Sequence, residues 1–124
     1  MPRKERHDMP RFVILKHIAG SVHYDLMFEH DGVLMTFRAK DEPRRDGVCM
    51  EASFDHPLKF LDFEGALKNA PGRVEHWDKG TFTVINWSDK QIDIECRGRH
   101  WKGRYILSAQ DDDKWLARKQ SKEK

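Results

Sequence analysis

Between Val22 and Phe28 apolar and polar positions alternate: Val22, Tyr24, Leu26 and Phe28 fall on one side, and His23, Asp25 and Met27 on the other. A backbone that sorts side chains with a period of two is an extended strand, and the apolar side needs a core beneath it. The opposite side sets an imidazole and a carboxylate two positions apart, close enough to share one ion. His17 precedes Gly20, where a bend or bulge would return it to the same place. Imidazole with carboxylate suits Mn²⁺ or Zn²⁺, and three protein ligands leave coordination positions open for water or substrate. The competing reading is of ordinary hydrogen-bonded polar residues, since the chain holds 7 histidines and short motifs arise by chance.

Similar strands recur on either side. Phe12-Val13-Ile14-Leu15 opens the first, and Asp31-Gly32 supplies the positive-φ positions of a tight hairpin. Val33 to Phe37 then returns antiparallel, so Arg38 and Lys40 end a strand paired with the one bearing His23 and Asp25. Val48-Cys49-Met50 reads as a short buried segment and Ser53 to Pro57 as a loop. Leu58, Leu61, Phe63 and Leu67 suggest one short helix. Arg73 to Trp77 leads to an expected turn at Asp78-Lys79-Gly80, and Thr81 to Trp87 to another at Ser88-Asp89-Lys90. Ile92, Ile94 and Cys96 alternate with Asp93 and Glu95; Arg104 to Ser108 and Lys114 to Arg118 read as closing strands. Short strands at this spacing imply a mainly β domain, an antiparallel barrel or sandwich with one or two short helices.

A chain of 124 residues makes one domain. Its net charge of +2 is too small to argue nucleic-acid binding without clustering. Cys49 and Cys96 fit no metal or redox spacing, and read as reduced, small apolar residues. No signal-like or membrane-spanning run occurs, so the expectation is a cytoplasmic protein with no membrane partner. Residues 1–11 are expected to be a disordered basic arm, 12–119 the barrel domain and 120–124 a frayed tail. Trp77, Trp87, Trp101 and Trp115 read as core or rim residues. Arg97, Arg99, Lys102 and Arg104 read as a solvated face, against a rival reading as a phosphate-tracking strip beside His100 and Trp101.

Several landmarks stand in a particular order: Lys16-His17, His23-Tyr24-Asp25-Leu26, Asp31-Gly32-Val33-Leu34, Asp55-His56-Pro57-Leu58, Asp62-Phe63-Glu64-Gly65, Trp77-Asp78-Lys79-Gly80-Thr81-Phe82, Lys102-Gly103-Arg104-Tyr105 and Trp115-Leu116. From Phe12 to about Lys119 the chain thereby resembles the 3′-phosphoesterase domain family of bacterial DNA ligase D, which also occurs as free-standing proteins. The resemblance implies a small antiparallel β-barrel enzyme that trims DNA 3′ ends, removing a terminal ribonucleoside and then the 3′-phosphate, with Mn²⁺ as the usual metal. On the family's pattern His17, His23 and Asp25 match metal ligands, and His56 matches a histidine that contacts the phosphate and supports catalysis.

Elsewhere the pattern is broken. Where the family has a phosphate-clamping arginine two residues after the metal aspartate, this chain has Met27. The family's glutamate before the loop histidine is Phe54, its tyrosine after it is Phe60, and a further arginine falls near Val48. Lys40 matches the family's lysine loosely. Arg38 and Lys40 are therefore the expected phosphate-binding cations, with Arg97, Arg99 and Lys102 the alternative source of a guanidinium or ammonium for the same pocket. Two functions follow: a metal-dependent phosphoesterase on DNA 3′ ends, or an end-binding, ligase-associated module that has lost turnover. The expected partners are a DNA 3′ end or primer-template and an ATP-dependent DNA ligase, with the protein itself a monomer.

Overall fold

Each alternating stretch becomes a strand, and the tight turns between them dictate which strands pair. The computed structural model describes residues 9–120. Its strands are β1 (Arg11–Ala19), β2 (Ser21–His30), β3 (Val33–Ala39), β4 (Gly47–Ala52), β5 (Gly65–Ala66), β6 (Arg73–Trp87), β7 (Gln91–Arg97), β8 (Lys102–Asp111) and β9 (Lys114–Lys119). Around the sheet they run β1-β2-β3-β4-β9-β8-β7-β6, and β6 pairs back onto β1. This closes an eight-stranded antiparallel barrel and leaves no open edge along the ring. The two-residue β5 is added to the start of β6 outside that ring.

Alternation assigns one face of every strand to the barrel interior. Phe12 and Ile14 of β1, Tyr24, Leu26 and Phe28 of β2, and Ile92, Ile94 and Cys96 of β7 all point inward. Phe28 stacks on Phe12 at 6.0 Å and meets Phe82 edge-on at 5.7 Å. Trp101 lies flat on Tyr105 at 4.1 Å. Each such burial contributes roughly 1.5–3 kcal/mol, which makes the barrel interior the main source of stability. All four tryptophans belong to this core or its margin, as expected: Trp101 and Trp115 are buried, and Trp77 and Trp87 pack against it.

A second, smaller core lies on the outside of the barrel. Val13, Leu15, Met27, Leu34, Leu61 and Val74 form it, with Phe60, Phe63 and Leu67 packed against them. The segment between β4 and β6 therefore covers the outer face of β1–β3, and β1 is buried on both faces. Met27 departs from the sequence expectation here: the face it shares with His23 and Asp25 is polar only at one end, and Met27 is 1% exposed.

Three local expectations need correction. The helix expected between Leu58 and Leu67 is a single 3₁₀ turn, Leu58–Leu61, and the described residues contain no α-helix. None of them therefore forms a helix able to cross a membrane. The turn expected at Asp78-Lys79-Gly80 is absent, because β6 runs unbroken from Arg73 to Trp87. Asp78 is instead a buried anchor: its carboxylate accepts from the backbone N–H of Lys79 (2.9 Å), Arg99 (2.6 Å), His100 (3.1 Å) and Trp101 (2.8 Å). Gly98 lets that loop approach, since a Cβ there would stand 2.7 Å from Asp78 Oδ2 and 2.6 Å from the Phe12 ring. Third, Cys49 is exposed and only Cys96 is buried; burial raises the Cys96 thiol pKa well above its ordinary value. Of the arm expected at 1–11, residues 1–8 lie outside the described residues, while Arg11 opens β1 and the Pro10 carbonyl accepts from Phe82 N–H. Of the expected tail, 121–124 lie outside them too, and the Gln120 N–H donates to the Arg104 carbonyl.

Candidate metal centre

A one-residue reversal at Gly20, with φ +85°, joins β1 to β2 and pairs Ala19 with Ser21. Only a residue free to adopt positive φ turns the chain that tightly. Counting back from this turn, His17 falls opposite His23, and Leu15 opposite Asp25. Across β2 and β3, Asp25 pairs with Arg38 and Met27 with Thr36. One outer face of the barrel thus carries successive rows: His17 and His23, then Leu15, Asp25 and Arg38, then Val13, Met27 and Thr36. Each row is about 7 Å from the next, the rise of two strand residues.

The first two rows converge. His17 Nδ1 lies 3.1 Å from His23 Nε2, and His23 Nε2 lies 3.4 Å from Asp25 Oδ2. One ligand atom from each of the three residues lies within 4.8 Å of the others. At the far side of His17, Nε2 is 3.4 Å from the Pro71 carbonyl. Burial lowers the His23 pKa, against the opposing pull of Asp25 and with help from Arg38 and His17. A neutral His23 offers a lone pair, and only one proton fits between the two facing imidazole nitrogens. Two imidazoles and a 5% exposed carboxylate are a donor set that fits Mn²⁺ or Zn²⁺.

Arg38 approaches this cluster from β3. Its Nε is 3.4 Å from Asp25 Oδ1, while the side chain remains 45% exposed. Among the described residues no acceptor engages its Nη groups, so they face solvent beside the cluster. Lys40, one residue past β3, is exposed. Of the four cations in the basic strip at 97–104, Arg97 and Arg104 are engaged elsewhere. Arg97 donates to Thr81 and Thr83, and Arg104 holds Asp93 through two hydrogen bonds of 2.8 and 2.6 Å.

His56 arrives on a different segment. It bridges to Leu34 through backbone hydrogen bonds of 2.8 and 2.9 Å, alongside the Ser53 N–H to Thr36 carbonyl bond of 2.9 Å. The Thr36 hydroxyl donates to the Leu34 carbonyl (3.0 Å) and therefore accepts from His56 Nδ1–H at 2.9 Å. The Phe54 carbonyl, at 3.0 Å, shares the same proton. The neutral ring is thereby held in the Nδ1–H tautomer, and Nε2 presents a lone pair that no other described residue engages. Thr36 is cross-strand from Met27, so His56 is held one row beyond Asp25 and Arg38. Nothing in the sequence singled out Thr36; only the β2–β3 register reveals it.

Two phenylalanines pack against the His56 ring. Phe54 stacks on it at 4.7 Å and Phe60 meets it edge-on at 5.5 Å. Met27 is sealed into the outer core, and Val48 lines the barrel interior.

A closed antiparallel barrel with a His-His-Asp cluster on its outer face defines a small β-barrel domain with one candidate metal centre. The chain belongs to the DNA Ligase D 3′-phosphoesterase domain family, whose match spans residues 15–109. It is 34% identical over 123 residues to the multifunctional non-homologous end joining protein LigD of Mycobacterium bovis, covering 91% of this chain and 16% of that protein. The like-named protein of Mycolicibacterium smegmatis is 28% identical over 141 residues, covering 100% of this chain and 18% of the relative. That of Pseudomonas aeruginosa is 33% identical over 91 residues, covering 68% and 11%. The chain therefore spans less than a fifth of the length of these relatives.

Proposed function

We propose that this protein is a divalent-metal-dependent phosphoesterase acting on nucleic-acid 3′ ends, in the setting of DNA end repair that its relatives' names describe. The observation that carries the reading is the convergence of His17, His23 and Asp25 with Arg38 at their side. Mn²⁺ is the proposed metal, with Zn²⁺ the alternative, held by His17 Nδ1, His23 Nε2 and an Asp25 oxygen. When bound, such an ion acts as a Lewis acid toward phosphoryl oxygen and lowers the pKa of water.

The remaining chemistry belongs to the side chains. Arg38 takes the role that Met27 cannot fill. A guanidinium is planar and permanently charged, so with Nε beside Asp25 its Nη groups remain free to donate to two phosphate oxygens. Asp25 fixes the orientation of that fork while serving the cluster with its other oxygen. His56, with Nδ1 held by Thr36 and the Phe54 carbonyl, directs Nε2 outward; as a neutral base it accepts a proton, and as an imidazolium it donates to a phosphate oxygen. Lys40 is near enough in the chain to meet a longer nucleic-acid strand as a solvated charge. An ATP-dependent DNA ligase is the proposed partner, since the relatives join DNA ends according to their names.

One observation favours the second reading, an end-binding module without turnover: Met27, at the family's arginine position, is fully sealed in apolar contacts. The two readings separate on the end group of a 3′-phosphate oligonucleotide incubated with the protein and Mn²⁺. The phosphoesterase reading predicts a 3′-hydroxyl product that His17→Ala and His23→Ala both abolish while the circular dichroism spectrum is unchanged. An unaltered 3′-phosphate, bound but not cleaved by the wild type, selects the second reading.

A further inference from the structure

The six large apolar side chains exposed among the described residues are 37–48% accessible, with one exception: Phe54, at 70%. Leaving a phenyl ring so far in water forgoes the stabilisation that burial provides. This ring is not loose on a flexible tip. It lies parallel to the His56 imidazole, 4.7 Å between centroids and 17° between planes. Its backbone is pinned between the Ser53 and His56 bridges to β3, and its own carbonyl takes part in fixing the His56 tautomer. His56 is backed on another side by Phe60 at 84°. One face of Phe54 is therefore occupied by the imidazole, and the other is presented to solvent beside the group proposed to meet the phosphate.

We propose that Phe54 is a stacking platform for the terminal nucleobase of a single-stranded 3′ end, and so a specificity-determining residue. The inference rests on the end-directed reading above. A phosphate lying between Arg38 and His56 carries its sugar and base toward one side of the imidazole. There an aromatic plane, held rigid, accepts any base through its π-face. A glutamate at this position would repel the phosphodiester backbone; a phenyl ring exchanges that repulsion for sequence-tolerant adhesion. The platform implies a preference for ends whose last nucleotide retains its base over abasic ends, with little preference among the four bases.

Binding tests this without depending on turnover. Fluorescence anisotropy would compare a labelled single-stranded oligonucleotide ending in a 3′-phosphate nucleotide with the same strand ending in a 3′-phosphate abasic site, with Ca²⁺ replacing Mn²⁺. Wild-type protein should bind the base-bearing end roughly five- to a hundredfold more tightly. Phe54→Ala should erase that difference by weakening only the base-bearing end, and Phe54→Trp should restore it. Because Phe54 is exposed, the melting temperature of Phe54→Ala should match that of the wild type. Equal wild-type affinity for the two ends, or an equal loss on both in Phe54→Ala, overturns the proposal, the latter by reducing Phe54 to a support for His56. Absence of wild-type binding overturns it as well. Selective binding without subsequent cleavage in Mn²⁺ would leave the platform standing and defeat only the phosphoesterase reading.

Discussion

At the scale of single residues, the placement of Met27 and Arg38 dominates. Met27 and Arg38 lie on adjacent strands of the same outer face, one row apart, and the cation beside Asp25 comes from β3 rather than β2. Losing a preorganised donor costs about 2.7–4 kcal/mol of transition-state stabilisation. Arg38→Met should therefore lower kcat by roughly a hundred- to a thousandfold, and Arg38→Lys should recover only part of it, because an ammonium lacks the fork. Wild-type rates in Arg38→Met would remove Arg38 from the mechanism. The reverse substitution should not help. Met27→Arg places a charge among Val13, Leu15, Leu34 and Val74, and uncompensated buried charge should lower unfolding free energy by about 3 kcal/mol or more in urea titrations. His23 adds a pH signature to the metal-free protein. Its folded pKa lies below the ordinary imidazole value, so the folded state binds fewer protons than the unfolded one. Its contribution is then complete above about pH 6.5 and is lost as pH falls through the folded value. His23→Gln should flatten that part of the stability profile, and an unchanged profile would contradict the assignment.

Elements show where local sequence suffices and where it fails. The period-two stretch Val22–Phe28 and the Asp31-Gly32 turn were legible because alternation and positive φ are local properties. From them follow the β2–β3 register and the meeting of Asp25 with Arg38. The return of His17 to His23 was also legible, since Gly20 leaves few ways to connect two such strands. Asp78-Lys79-Gly80 misleads for the opposite reason. Its composition is that of a turn, yet Asp78 satisfies N–H groups about twenty residues away, a non-local demand that no window of sequence contains. The Leu58–Leu67 spacing misleads in the same way: Leu61, Phe63 and Leu67 pack on the outer surface of the barrel while Leu58 stays exposed, and Gly65, with φ +123°, pairs with Val74 instead of continuing a helix. Asp78→Asn should destabilise the protein by about 2–4 kcal/mol, because an amide replaces a charged acceptor of several backbone donors. Differential scanning calorimetry would read this directly, and a loss below about 0.5 kcal/mol would deny the anchor its importance.

For the whole molecule, closure between β6 and β1 brings the two chain halves together and builds two cores around β1. The inner core makes the barrel; the outer one, beneath the 53–72 segment, supports the strand pair that carries the cluster. A small barrel thereby keeps its polar residues at one end of an otherwise apolar outer face, where Pro71, the β1–β2 turn and Arg38 surround them. The most direct measurement of the central claim is calorimetric titration of Mn²⁺ and Zn²⁺ into wild-type and His17→Ala/His23→Ala proteins, followed by assay of a 3′-phosphate oligonucleotide with each loaded sample. Saturable binding of one ion in the wild type, absent from the double variant, together with conversion of the 3′-phosphate to a hydroxyl, is the predicted result. Retained turnover in the double variant, or a wild type that neither binds metal nor alters the end group, would contradict it.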